Sequence, residues 1–78
     1  MGKAVVFAKR PVTIGDTRGW LDDPTVRDVP CPGERIGRGA PVCTVFARAD
    51  DAATCYRRLV SRAATIYEVL AQWDRRAA

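Results

Sequence analysis

The sequence has no histidine, and so lacks the side chain that most often serves as a general base near neutral pH. No phosphate-binding glycine loop, nucleophile elbow or hydrolase triad can be read from its 78 positions. Cysteine is scarce and badly spaced for a metal. Cys31, Cys43 and Cys55 stand at intervals of 12 residues, with no C-x-x-C pair and no histidine to complete a tetrahedral site. An odd number of thiols and no secretory signal point to reduced cysteines and a cytoplasmic location. Cys43 and Cys55 are expected to act as small core residues, and Cys31, in a Pro-Cys-Pro turn, to be the most exposed. No apolar run approaches the ~20 residues of a membrane span, and the N-terminus carries no hydrophobic targeting segment.

What is present has the balance of an ordinary folded domain. Hydrophobic residues make up 47% and charged residues 28%, too apolar for a disordered tail. A chain this short is one domain, and it buries little more than about 60% of the surface its unfolded form exposes. Its stability is therefore marginal. The net charge of +4 comes from 13 basic residues against 9 acidic ones. The arginines are scattered from Arg10 to Arg76 and form no compact basic run. That spread reads as a solvated cationic surface and argues against a nucleic-acid-binding domain.

The chain opens on a β-prone run over residues 3–9, which Val12 to Ile14 extends after a bend at Pro11, giving one bent or bulged edge strand. So abrupt a start suggests an excised fragment or a small subunit that completes a larger partner. Gly15 to Thr25 reads as a loop holding a helical turn at most, with Trp20 and Leu21 its only large apolar residues. Val26 to Val29 is a short strand, punctuated by Pro30, Pro32 and Gly33. Gly37-Arg38-Gly39 supplies two glycines for a tight hairpin turn. The continuous run Val42 to Ala47, VCTVFA, implies burial on both faces or on one face plus a partner helix, and marks the centre of the sheet.

A long helix follows. Asp50 is expected to cap it, Asp51 to favour the positive end of its dipole, and Arg75 and Arg76 to complement the other end. Ala52, Tyr56, Leu59, Val60, Ala63, Ile66, Tyr67, Leu70 and Trp73 recur at spacings of three and four, which predicts one apolar stripe facing the sheet. Arg57, Arg58, Arg62, Glu68 and Gln72 lie away from that stripe as a solvated face. Leu59 and Phe46 are expected to meet between helix and sheet. The fold class is therefore α+β: a small twisted antiparallel β-sheet packed by one long C-terminal α-helix.

These residues carry a resemblance. The lysine-led first strand, the turn at Pro32 and Gly33, the pattern Ile36, Gly39, Pro41, Val42, Thr44, Val45, Phe46, Ala47 and the Asp-Asp-Ala helix start resemble the small C-terminal lobe of ATP-grasp enzymes. Stand-alone ATP-grasp ligases are the nearer likeness, and biotin carboxylase the weaker one. In those proteins the lobe follows the catalytic domain and has a compact β-rich body with a helix packed across it. The resemblance implies that ATP and magnesium are held by the large domain, that this chain binds no cofactor by itself, and that the isolated chain has no activity. Biotin carboxylases place an arginine in a comparable Val-Arg pair near the reacting biotin. This makes Arg27 a candidate substrate contact, with Arg35 and Arg38 beside the glycine turn as further candidates; the alternative for all three is a plain surface arginine.

No residue is a candidate for catalysis or for a metal. Asp22 with Asp23 fits an exposed turn, and Asp50 with Asp51 a helix start. The expected partner is a large ATP-grasp domain or a homologous chain. The expected contact is the N-terminal edge strand at Val6 together with Trp20, an aromatic anchor among aspartates, and a homodimer through that edge is the substitute when the large domain is missing. Two other function classes stand beside this one: a stand-alone protein-interaction module that kept the lobe and lost the chemistry, and a basic nucleic-acid binder.

Overall fold

The computed structural model describes the backbone of residues 1–77 and the side chains of residues 1–75. Strands β1 (Gly2–Phe7), β5 (Pro41–Ala47) and β3 (Val26–Arg27) form an antiparallel sheet in the order β1-β5-β3. A second, two-stranded sheet pairs β2 (Val12–Thr13) with β4 (Arg35–Ile36). Helix α1 is a single turn at Arg18–Leu21, and α2 runs from Ala52–Ala77. An antiparallel sheet with one long C-terminal helix is the α+β architecture the sequence predicts.

The apolar run of β5 does take the centre. Its partner register, Ala4 opposite Val45 and Val6 opposite Cys43, puts these four residues on one face, because side chains alternate along a strand. Val6, Cys43, Val45 and Ala47 are each no more than 2% exposed. Against them α2 lays Ile66 and Leu70, with Leu59, Ala63, Tyr67 and Trp73 partly buried around the cluster. At the start of β1 the helix packs directly on the strand, since a Cβ at Gly2 would stand 2.9 Å from Cys55 Sγ and 3.0 Å from Leu59 Cδ1.

Three expectations change. Val12 to Ile14 does not extend the first strand within its sheet. The β1–β5 register shifts between Val6 and Phe7, Pro11 donates no ladder bond, and the chain passes over to pair with β4. The glycine turn consequently joins strands of two different sheets, and of its glycines only Gly39 has a positive φ, 83°, where a side chain would be strained. Phe46 does not meet Leu59 in the core. It alternates with Val45 and Ala47 and pairs with Lys3, so it lies on the opposite sheet face.

The helix start also moves by one residue. Asp51, and not Asp50, is the cap: its Oδ1 accepts the Thr54 amide at 2.7 Å and its Oδ2 accepts the Thr54 hydroxyl at 2.8 Å. This geometry follows from a helix beginning at Ala52, since a cap carboxylate reaches the amide three residues on. At 26 residues the helix is ~39 Å long at 1.5 Å per residue, whereas six residues of β1 span only ~20 Å. The helix therefore overhangs the sheet, and its C-terminal half packs beyond it, on β2 and the segment before α1. On the far side, Tyr56 and Val60 are 68% and 50% exposed, so the packed stripe is narrower than the sequence spacing suggests. Arg75 is exposed near the helix end, and the side chain of Arg76 lies outside the described ones.

The loop region is held by specific contacts. Thr17 is 1% exposed and its hydroxyl donates to the Pro30 carbonyl at 3.0 Å, which satisfies a buried polar group. Trp20 stacks on Trp73 with ring centroids 5.4 Å apart, and Gly15 lies directly against the Trp73 indole. Asp28 adopts a left-handed φ of 57°, tolerable for aspartate, and its carboxylate accepts the Thr44 hydroxyl at 3.0 Å.

A Cβ at Gly15 would stand 2.6 Å from Trp73 Cε2, so Gly15→Ala must displace the indole. It is expected to cost about 1–3 kcal/mol in a denaturant melt, whereas Gly37→Ala, which meets open space, should leave stability nearly unchanged. The cap makes a second prediction. Its hydrogen bonds to Thr54 hold the Asp51 carboxyl below its ordinary value of 3.8. A depressed folded-state pKa stabilises above the unfolded value and loses that effect as pH falls through the folded one. Asp51→Ala should therefore lower Tm at pH 7, and the gap to the parent should close as pH drops below about 4.

Candidate functional site

Strand alternation divides the sheet into a covered face and an open one. Lys3, Val5 and Phe7 point away from α2, and the register aligns Val5 with Thr44 and Thr44 with Arg27 in a row across all three strands. Val5 and Phe7 are 43% and 48% exposed, and half-buried Phe46 stands opposite Lys3. The result is an apolar face flanked by two cations. Strand β1 is also an outer strand of its sheet, so it has alternate amides and carbonyls that face no strand.

The candidate residues fall in different places. Arg27 lies on the open face of β3 and is exposed. Arg35 sits in the other sheet, where its Nη1 donates to Thr13 Oγ1 at 3.0 Å, and Arg38 is exposed in the glycine turn. The structure thus does not gather the three. Val6 is 1% exposed beneath the helix, so a partner at this edge meets its backbone and not its side chain. Trp20 is half-buried against Trp73, and that stacked face is used within the domain.

Beside Arg27 the structure assembles residues that the sequence did not single out. An open groove of about 680 Å³ is lined by Arg27, Arg48, Arg58 and Arg62 together with Phe46 and Thr25. Arg58 and Arg62 are one helical turn apart, and that spacing was the available signal. Arg62 is not a solvated residue: its Nη1 donates to Thr25 Oγ1 at 3.1 Å, and its Nε is buried with no hydrogen-bond partner. Arg58 Nη1 donates to the Arg48 carbonyl. Ion pairs among the described residues join Arg10 to Asp74 at 3.5 Å and Arg18 to Asp16 at 2.8 Å, and none includes these four arginines.

The remaining chemistry is quiet. Burial pushes the Cys43 thiol up to about 11, which removes it as a nucleophile. Cys55 donates to the Ala47 carbonyl at 3.5 Å, and Cys31 is exposed. The Arg18 side chain holds the Asp16 carboxyl down at about 2. A smaller hollow of about 310 Å³ lies between residues 8–12 and the helix, lined also by Arg75, with Lys9 Nζ 4.3 Å from the centre of the Tyr67 ring and Arg10 paired to Asp74. Among the described residues no group of three or more His, Cys, Asp or Glu side chains is placed to hold a metal, and no helix is long and apolar enough to cross a membrane. Comparison of the chain with protein-family models, with curated proteins and with solved structures gave no match.

Proposed function

We propose that this chain is a non-catalytic C-terminal lobe or small subunit of an ATP-dependent carboxylate ligase of the ATP-grasp type, completing or closing an active site whose ATP and magnesium are held by a larger domain. The observation that carries this reading is the one-sided sheet. A helix covers one face, while the other exposes Val5 and Phe7 beside an unpaired β1 edge. Apolar surface of this kind marks a place for another protein surface. Arg27 stands on the same face, where it would approach a substrate bound by the neighbouring domain. The resemblance in strand, turn and helix-start residues supplies the identity of that neighbour. The large domain belongs either to the same polypeptide or to a separate chain.

The second reading is a stand-alone interaction module, which the same open face would also serve. The two separate on the partner. Affinity purification from the native source is expected to recover a protein carrying an ATP-grasp domain, and Val5→Glu with Phe7→Glu should abolish recovery while leaving Tm within a few degrees, because both side chains point away from the core. An unrelated partner held through the same residues would favour the module. Loss of folding in the double variant would mean that the face belongs to the domain's own core.

A further expectation concerns the chain by itself. The isolated chain should not release phosphate from magnesium-ATP in a coupled assay. Turnover that survives repurification would contradict a lobe without catalytic groups.

A further inference from the structure

We propose that the groove lined by Arg27, Arg48, Arg58 and Arg62 is a binding site for a small oxyanion carrying two or more negative charges. Four arginines from three separate parts of the chain, strand β3, the residue after β5 and two successive turns of α2, line one open concavity. Like charges brought together in this way repel, and none of the four is in an ion pair among the described residues. Asp23 and Asp51 are near enough to feel Arg62 and Arg58 and offset part of their charge, but each is hydrogen-bonded to a threonine, Asp23 to Thr25 and Asp51 to Thr54, and neither is ion-paired to these arginines among the described residues. Asp50 lines the adjoining hollow, which shares Arg48 and Arg58 with the groove.

The hydrogen-bond inventory points the same way. A guanidinium carries five N–H donors. Arg58 uses one on the Arg48 carbonyl and Arg62 one on Thr25 Oγ1, bonds that orient the two groups and leave their other donors free. The Nε of Arg62 is enclosed and unpartnered, so a ligand in the open groove meets the terminal nitrogens of that side chain and not Nε. Planar guanidinium groups match carboxylate and phosphate oxygens in pairs, and a ligand with several such oxygens meets more than one arginine at once. Pro24, Phe46 and Ala47 add an apolar wall, so the ligand has room for a carbon skeleton. The groove volume, about 680 Å³, lies within the range usual for small-molecule sites. This site stands on its own geometry and does not depend on the ATP-grasp reading.

The test uses citrate and tripolyphosphate as probes, each against sodium chloride at matched ionic strength. Saturable 1:1 binding by calorimetry and a rise in Tm of about 4 °C or more at saturation are expected with at least one of them. Preference for citrate assigns a carboxylate source to the natural ligand, and preference for tripolyphosphate a phosphate source. Arg48→Gln with Arg58→Gln should weaken binding about tenfold or more. Arg10→Gln with Arg18→Gln removes the same net charge outside the groove, at arginines engaged in surface ion pairs, and should leave it unchanged. No saturable binding of either anion, or equal weakening by the two variant pairs, would overturn the proposal, the latter by showing diffuse surface charge.

Discussion

Everything in this fold depends on the seam between β5 and α2. Val45, fully buried at 0%, sits on the middle strand with β1 on one side and β3 on the other, and the helix closes over it with Ile66 and Leu70. A domain of this size has room for one such layer of contact. The same economy explains its asymmetry. One helix covers one face, and the other keeps Val5 and Phe7 exposed at its β1 margin while Thr44, between Val5 and Arg27, is 9% exposed.

That asymmetry is what turns structure toward function. The covered face holds the small core, and the open face presents Val5, Phe7 and Phe46 between Lys3 and Arg27. The arginine groove lies at the neighbouring margin, where the end of β5 passes under the first half of α2. An apolar docking face next to a cationic concavity suits a lobe that seats against a larger body while offering charge to something bound there. The fold by itself names no reaction.

Much of the architecture was legible in the sequence, and the failures have physical causes. The VCTVFA run announced the central strand because continuous hydrophobicity marks a strand flanked by neighbours and covered by a helix, and the helical period announced α2. Periodicity overstated the packed stripe at Tyr56 and Val60 because the sheet beneath them is too narrow to reach both flanks of the helix. Phe46 was misplaced because, in a strand apolar on both faces, composition does not say which way a given residue points; only the register with Lys3 does. The cap shifted from Asp50 to Asp51 because two adjacent carboxylates are equivalent until the first helical residue is fixed. Of the candidate site residues only Arg27 fell beside a groove. The one-turn spacing of Arg58 and Arg62 was visible in the sequence, but that they line one groove with Arg27 and Arg48 depends on how α2 packs on β5, which no local pattern encodes.

The central claim, a domain built on a β5 seam with β1 as an open edge, is tested most directly by amide hydrogen exchange on the isolated chain at a concentration low enough to keep it monomeric. Amides of Val42 to Ala47 should be the slowest in the sheet, and those of Gly2 to Phe7 should alternate between slow and fast, because in an antiparallel edge strand only every second residue bonds to its neighbour. Uniform protection along Gly2 to Phe7, or early exchange at Val45, would contradict the account.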